Sequence, residues 1–250
     1  IGQASATLDN MYPGRFLLAV GSGEAINEAV FFTDGWPRWR ERIERLAEAI
    51  VLIKKMWESE GYFTFEGKYF SIPNFFLYTK PKTQIPIYFA ASGKRAASYA
   101  GTYGDHLATI NTPETCRDVI FPSFESSALK AGKDPSKMEK MVEMLLYFGN
   151  KEHGIREVRK SSEAGLFADG AFDEQDPRKI QEMSYQVSDD KILANYYFIS
   201  SPEKLIEFID RYWKIGATHV ELVTHSFPER IRLVGEKVLP YFIGNEDYWR

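Results

Sequence analysis

Residues 15–28, RFLLAVGSGEAINE, decide the fold of this chain. An apolar run ends in two closely spaced glycines, and a carboxylate and a helix-forming segment follow at once. Such a run is typical of a parallel strand that is buried on both faces. Glycine permits the sharp turn and the close backbone approach that a Cβ would block. The stretch therefore predicts a strand, a turn and a helix, with Glu24 at their junction.

The same order of strand and helix recurs along the chain. Apolar runs predict strands at 15–21, 85–92, 105–110, 138–149 and 218–226. Amphipathic segments predict helices at 3–11, 37–58, 93–101, 113–132, 201–216 and 228–242, with a break or kink at Pro122. Residues 62–72 predict a hairpin, and 150–190 carry no clear periodicity. Strands that alternate with helices form a parallel sheet, so we expect an α/β fold in one domain over 1–250, either an open doubly wound sheet or a (β/α)8 barrel.

Composition excludes several classes of protein. The 250 residues carry a net charge of −4, which leaves no basic surplus for binding nucleic acid. No apolar stretch approaches the roughly 20 residues of a membrane span, so no membrane partner is expected. Cys116 is the only cysteine, which rules out a disulfide within the chain and favours a reducing, cytoplasmic setting. The chain opens without an initiating Met, and we expect it to be N-terminally incomplete.

Candidate site residues follow the predicted strands, because ligands of both architectures bind where parallel strands end. The stretches concerned are 21–27, 90–95, 109–112, 147–150 and 224–226. A partly desolvated carboxylate at Glu24 has a raised pKa that suits proton transfer near neutrality. Asn27 lies one helical turn further on and faces the same way. The alternative interpretation is that Glu24 is a solvated carboxylate at a helix start, where the helix dipole favours it.

A second candidate is the start of the helix at 93–101. Gly93 follows a strand, and free backbone N–H groups at such a position bind anions. Lys94 and Arg95 add positive charge, although ordinary surface charge explains them equally. Four scattered histidines and one cysteine offer no metal-ligand spacing, so no metal is expected.

Four segments of the chain resemble a known family. They are YPGRFLLAVGSGEAINE (12–28), GWPRWRERIERLAEAIVLIKKMWE (35–58), FEGKYF (65–70) and IPIYFAASG…YAGTYGDHLATI (85–110). Together they are similar to the coenzyme F420-dependent branch of the bacterial luciferase-like superfamily, and most of all to its glucose-6-phosphate and secondary-alcohol dehydrogenases.

This resemblance implies a (β/α)8 TIM barrel that holds a deazaflavin at its C-terminal mouth, with this chain supplying roughly strands 4 to 8. It implies coenzyme F420 as cofactor, with FMN as the alternative, and a homodimer. Glu24 would exchange a proton beside the deazaflavin ring, as the catalytic residue. The residues that would bind the cofactor are Ser22, Gly23, Asn27, Ala90, Ala91, Ser92, Gly93, Arg95, Ala96 and Thr109, of which Ser92, Gly93, Arg95 and Ala96 would hold the phosphate-bearing tail.

The chain departs from the family pattern in two respects. Family members begin with three further βα units, which carry an Asp-His pair whose histidine serves the substrate hydroxyl. The sugar-phosphate enzymes also place a lysine after strand six and an arginine near an FIS-like segment, whereas INTP (110–113) and LANYYFIS (193–200) contain no cation. We therefore expect hydride transfer between a small neutral alcohol or carbonyl and C5 of F420. The alternatives are an FMN-dependent monooxygenase, an F420-dependent methylene-tetrahydropterin reductase and a non-catalytic flavin-binding barrel.

Overall fold

The computed structural model describes residues 1–224 and 228–244. Its strands are β1 (Leu18–Val20), β2 (Phe63–Glu66), β3 (Ser71–Phe75), β4 (Ile87–Ala90), β5 (His106–Thr109), β6 (Lys140–Phe148), β7 (Tyr197–Ile199) and β8 (His219–Thr224). Its α-helices are α1 (Gly2–Met11), α2 (Ala25–Glu28), α3 (Trp39–Glu58), α4 (Lys94–Tyr103), α5 (Pro113–Thr115), α6 (Phe121–Lys130), α7 (Lys151–Lys160), α8 (Pro177–Gln186), α9 (Asp189–Asn195), α10 (Pro202–Lys214), α11 (Pro228–Leu233) and α12 (Leu239–Ile243). Short 3-10 turns cover Ala29–Phe31, Pro135–Lys137, Glu163–Phe167 and Ala171–Asp173, and π-helical turns cover Cys116–Ile120 and Val234–Val238.

The chain divides into two compact units. The first comprises Ile1–Gly23, Pro37–Thr109 and Asp118–Lys140, and the second comprises Glu24–Trp36, Ile110–Arg117 and Met141–Arg250. A single domain over 1–250 therefore stays a prediction. In the ranges that the structure describes, no helix has the length and apolar character needed to cross a membrane.

The first unit contains three parallel strands in the order β1, β4, β5. The central strand β4 is buried at Ile87, Tyr88 and Phe89, as its apolar sequence predicts. In β1, by contrast, Ala19 is exposed and both its neighbours are only half-buried, so the expectation of a strand buried on both faces is wrong here. The reason is that, within the described residues, β1 pairs with β4 alone and forms the end of the strand order.

Helices α4 and α6 of the first unit pack with their backbones in contact. A Cβ at Gly101 would lie 2.1 Å from the carbonyl oxygen of Phe124, so only glycine allows this approach. Pro122 does not end the helix that contains it. A π-helical turn at Cys116–Ile120 leads directly into α6, and the proline lies in the first turn of α6, so the expected irregularity takes the form of a change in helix type just before Pro122.

The predicted hairpin is formed by β2 and β3, which pair antiparallel. The carboxylate of Glu48, on α3, accepts hydrogen bonds from the backbone N–H groups of residues 68–70 at 2.7–2.9 Å. These three bonds fasten the hairpin turn to α3.

In the second unit, β6 lies between β7 and β8 and is parallel to both. The helix predicted at 201–216 is α10. The Ser201 side chain accepts from the N–H of Lys204 as its N-cap, and Gly216 has a φ of +92° beyond its end.

Residues 150–190, for which the sequence made no prediction, form α7, α8, the beginning of α9 and two 3-10 turns. These elements and β7 enclose an apolar core of their own. Its buried members are Tyr147, Ile155, Val158, Ala164, Val187, Ile192 and Tyr196.

Candidate active site

The C-terminal ends of β1, β4 and β5 form one edge of the sheet in the first unit. A Cβ on Gly21 would lie 3.5 Å from the Cβ of Ala90, so the turn after β1 passes close to the end of β4. The N–H of Ala91 donates to the carbonyl oxygen of Ala108 at 2.8 Å, which places Ala91 beside the end of β5. Thr109 follows there and is 6% exposed. The structure therefore brings Ala90, Ala91 and Thr109 together, as the sequence predicts.

The turn after β1 needs a glycine at position 23. Gly23 has a φ of +80°, a region that residues with a Cβ rarely adopt. Ser22 beside it is half-buried. The G-x-G pattern thus corresponds to a real left-handed turn at the end of the strand.

Helix α4 begins directly after β4 with open backbone donors. Gly93 is its N-cap, no side chain caps it, and a Cβ on Gly93 would meet no atom within 4 Å. The N–H groups of Lys94, Arg95 and Ala96 have no acceptor inside the helix, because the first turn lacks partners four residues earlier. An uncapped helix start with free space in front of it suits a phosphate group.

Arg95 contributes charge at this helix start and is held by an aromatic ring. Its guanidinium carbon lies 4.7 Å from the ring centroid of Trp39, a cation–π contact between α4 and α3. Ser92 and Arg95 are exposed, whereas the Ala96 side chain is buried and offers a ligand only its backbone N–H.

In the second unit, Glu24 is the N-cap of the short helix α2. Its backbone N–H donates to Oε2 of Glu28 at 2.6 Å, and Nδ2 of Asn27 donates to its own Oε2 at 3.4 Å. Burial raises the pKa of Glu24, and the negative charge of Glu28 raises it further. Glu24 and Asn27 therefore meet as expected, and the environment of the Glu24 carboxylate favours its protonated form more than water does.

Two carboxylates that the sequence did not single out lie on neighbouring strands. Glu143 on β6 is the register partner of Glu221 on β8. The pKa of Glu143 is raised by burial first, then by the charges of Glu221 and Glu24. The available signal was one glutamate in the middle of each apolar run, MVEMLLYF and HVELVT. Neither glutamate follows the end of its strand, which is where the sequence predicts site residues.

Several other histidine, cysteine and tryptophan side chains occupy structural positions. His106 and His219 each begin a strand, and Nδ1 of His106 accepts from the N–H of Glu139 at 2.9 Å. Burial raises the pKa of Cys116 to about 12, so its thiol is inert near neutrality. Trp36 donates its indole N–H to Asp173 at 3.2 Å. His225 and Ser226 lie outside the described residues.

Within residues 1–224 and 228–244, no group of three or more His, Cys, Asp or Glu side chains is arranged to hold a metal ion.

Comparison with known proteins shows to which family this chain belongs. The family model described as luciferase-like monooxygenase matches residues 1–219. An F420-dependent glucose-6-phosphate dehydrogenase of Microbacterium testaceum (strain StLB037) is 30% identical over 245 residues, which are 96% of this chain and 72% of that protein. The chain belongs to the luciferase-like family.

Two solved structures support the luciferase-like fold. An F420-dependent secondary alcohol dehydrogenase in complex with an F420–acetone adduct superposes with a TM-score of 0.88 at 36% identity, over 95% of this chain and 73% of that one. The coenzyme F420-dependent tetrahydromethanopterin reductase from Methanopyrus kandleri superposes with a TM-score of 0.74 at 19% identity, over 96% of this chain and 78% of that one, and at this identity it shows the fold alone. The expected luciferase-like α/β fold, a (β/α)8 barrel in this family, is confirmed.

Two segments of this luciferase-like chain lack the cations expected of a sugar-phosphate site. In the segment 110–113, the carbonyl oxygen of Asn111 accepts from the hydroxyl of Tyr212 at 2.9 Å. In the segment 193–200, the Asn195 side chain donates to the carbonyl of Lys191 at 2.7 Å, and the Tyr196 hydroxyl donates to Glu163. Both segments therefore consist of uncharged residues, and Asn111, Asn195 and Tyr196 in them form hydrogen bonds within the protein.

Proposed function

We propose that this protein is an F420-dependent oxidoreductase that transfers a hydride between a small neutral alcohol or carbonyl and C5 of the deazaflavin. The observation that carries the proposal is the partly buried Glu24, whose pKa is raised and which follows the glycine turn after β1. The similarity to F420-dependent dehydrogenases in sequence and fold supports it.

The residues present fit the phosphate end of the cofactor. Free N–H groups at the start of α4, open space in front of Gly93 and the guanidinium of Arg95 form a donor set for an anion. Ser92 would hold the phosphate together with these groups. The rest of the cofactor would contact Ser22 and Gly23 after β1, Ala90 and Ala91 at the end of β4, and Thr109 at the end of β5. Each of these positions offers a small side chain or a backbone that lets a planar ligand approach closely.

When bound, F420 supplies the hydride chemistry, which no side chain of the protein can provide. Glu24 would hold or accept the proton of a ring nitrogen, and its raised pKa makes the protonated form easier to reach than in a free carboxylate. Asn27 orients that carboxylate through its amide. The ionisable side chain and its orienting partner are thus one helical turn apart.

The substrate we infer is neutral. A sugar phosphate needs cations, because a buried dianion without a partner costs several kcal/mol. The segments 110–113 and 193–200 contain no Lys or Arg. The secondary alcohol dehydrogenase has the higher identity, 36% against 30% for the glucose-6-phosphate dehydrogenase, and this also favours an alcohol or ketone. A reducing cytoplasm and a homodimer remain part of the proposal.

Binding titrations on the full-length protein test the cofactor assignment, with F420 and FMN compared by ligand fluorescence. Tight F420 binding and weak FMN binding are expected, and preference for FMN would favour a monooxygenase. Turnover is then followed by F420 absorbance with 2-propanol and with glucose 6-phosphate. Efficient use of glucose 6-phosphate would overturn the substrate inference, and F420 binding without turnover of any alcohol or ketone would favour a non-catalytic barrel.

A further inference from the structure

A groove of about 400 Å³ runs between α4 and α6 in the first unit. Lys94 and Ser98 line it from α4, and Ser126, Ser127 and Lys130 line it from α6. It begins at the first residue of α4, beside the uncapped helix start, and reaches the last residue of α6. The groove is therefore continuous with the place proposed to hold the phosphate of the cofactor.

The polar groups of this groove favour a negatively charged ligand. Lys94 and Lys130 are exposed, and among the described residues neither ammonium group has an ion pair or a hydrogen bond. Asp118, the acidic residue of the lining, is already engaged by another group of the protein. The groove lining thus carries two cations against one carboxylate, a net positive charge.

Hydroxyl groups between the two lysines add neutral donors. Ser98 and Ser123 donate to carbonyl groups of their own helices, at 3.2 and 2.6 Å. Within the described ranges, the Ser126 and Ser127 hydroxyls have no such partner. A ligand with repeated carboxylate and amide oxygens would satisfy these donors and both cations.

We propose that this groove binds the acidic oligoglutamate tail of the cofactor, the part that extends beyond its phosphate. The proposal rests on the proposed function, since it assigns the groove to F420. The uncapped start of α4 holds the phosphate, Lys94 pairs with the first carboxylates, and Lys130 pairs with those further along α6. The groove is open to solvent, so each pair contributes modestly and is weakened by salt.

The tail length of the cofactor provides the test. Fluorescence titrations compare F420 that carries several glutamates with the tail-less form that ends at the phospholactate, at low and high ionic strength. We expect the long form to bind more tightly at low salt and the difference to shrink at high salt. K130A should weaken binding of the long form by about twofold to fivefold, and K94A/K130A by roughly fourfold to twentyfold, with little change for K130A and the tail-less form.

The control variant is K137A, which removes the same charge from an exposed lysine of the first unit outside this groove. Equal affinity for the two forms, or the same effect of K130A and K137A on the long form, would overturn the groove assignment and leave the proposed function intact. Failure to bind either form would overturn both.

Discussion

The side-chain amide of Asn27 donates to the carboxylate of Glu24, with Nδ2 and Oε2 3.4 Å apart. The bond is long, so it orients the carboxylate without strongly stabilising its anion. Burial and the charge of Glu28 therefore dominate, and the pKa of Glu24 is raised. The shift favours the protonated carboxyl, which is the direction that a group exchanging protons near neutral pH requires.

Replacement of Glu24 by glutamine should abolish proton transfer and preserve the shape of the site. We expect E24Q to lower kcat/KM by about 10²–10⁴-fold, the usual contribution of a general acid or base. Its Kd for F420 should change little, because a glutamine retains the hydrogen-bonding geometry. E41Q, on the surface of α3, is the matched control. If E24Q kept an activity close to that of the parent, Glu24 would be a carboxylate that only stabilises the start of α2 and takes no part in proton transfer.

Removal of the neighbouring charge should shift the pH dependence. The Glu28 carboxylate raises the pKa of Glu24, so E28Q lowers that pKa. A glutamine oxygen at position 28 can still accept the bond from the N–H of Glu24. In the proposed reaction Glu24 accepts a proton during carbonyl reduction, so kcat/KM is expected to rise with pH through its pKa. In E28Q this rise of kcat/KM should occur at lower pH. An unchanged pH–rate profile would contradict the assignment of the rise to the ionisation of Glu24.

The sequence predicts the regular elements well where local signals are strong. Helix α10 has a serine N-cap, a proline in its first turn and a glycine of positive φ beyond its end. Helix α3 has an apolar residue every three or four positions, and Ile43, Ile50 and Ile53 are buried as that spacing requires. Strands β1, β4, β5, β6 and β8 also occur where the apolar runs predict them.

Other features depend on tertiary contacts that no local pattern records. Strand β7 is three residues long and exists because it pairs with the end of β6. Helices α7 and α8 are rich in charge, and the few apolar residues that form their core are spread over distant positions. Glu143 resembles an ordinary outward-facing residue of an alternating strand until its register partner, Glu221, is known.

The pair of glutamates on β6 and β8 should cost stability at neutral pH. Burial and the nearby charges raise the pKa of Glu143 in the folded protein above its usual value of 4.5. Its ionised form is therefore disfavoured by folding, and the cost is present above the raised pKa and disappears as the pH falls towards 4.5. E143Q should raise the free energy of unfolding at neutral pH by roughly 0.2–1 kcal/mol, the size of a cross-strand pair.

Denaturant unfolding at several pH values measures this effect. The gain of E143Q over the parent should shrink as the pH is lowered through the raised pKa. A gain that is the same at pH 4 and pH 8 would show that packing, not charge, accounts for it. E152Q, on the exposed surface of α7, serves as the control.

Two glycines of the candidate site should respond differently to alanine. Gly23 has a φ of +80°, so G23A places a Cβ in the left-handed region and should destabilise the protein by about 1–2 kcal/mol. Gly93 has an extended backbone and free space around its missing Cβ, so G93A should lower the free energy of unfolding by less than G23A, through the weaker N-cap preference of alanine alone. The added methyl group would occupy the open space at this helix start, where the phosphate is proposed to bind. G93A should therefore weaken F420 binding severalfold, measured by fluorescence titration, whereas G61A, at another open position, should not. Parent-like F420 affinity in G93A would place the phosphate elsewhere.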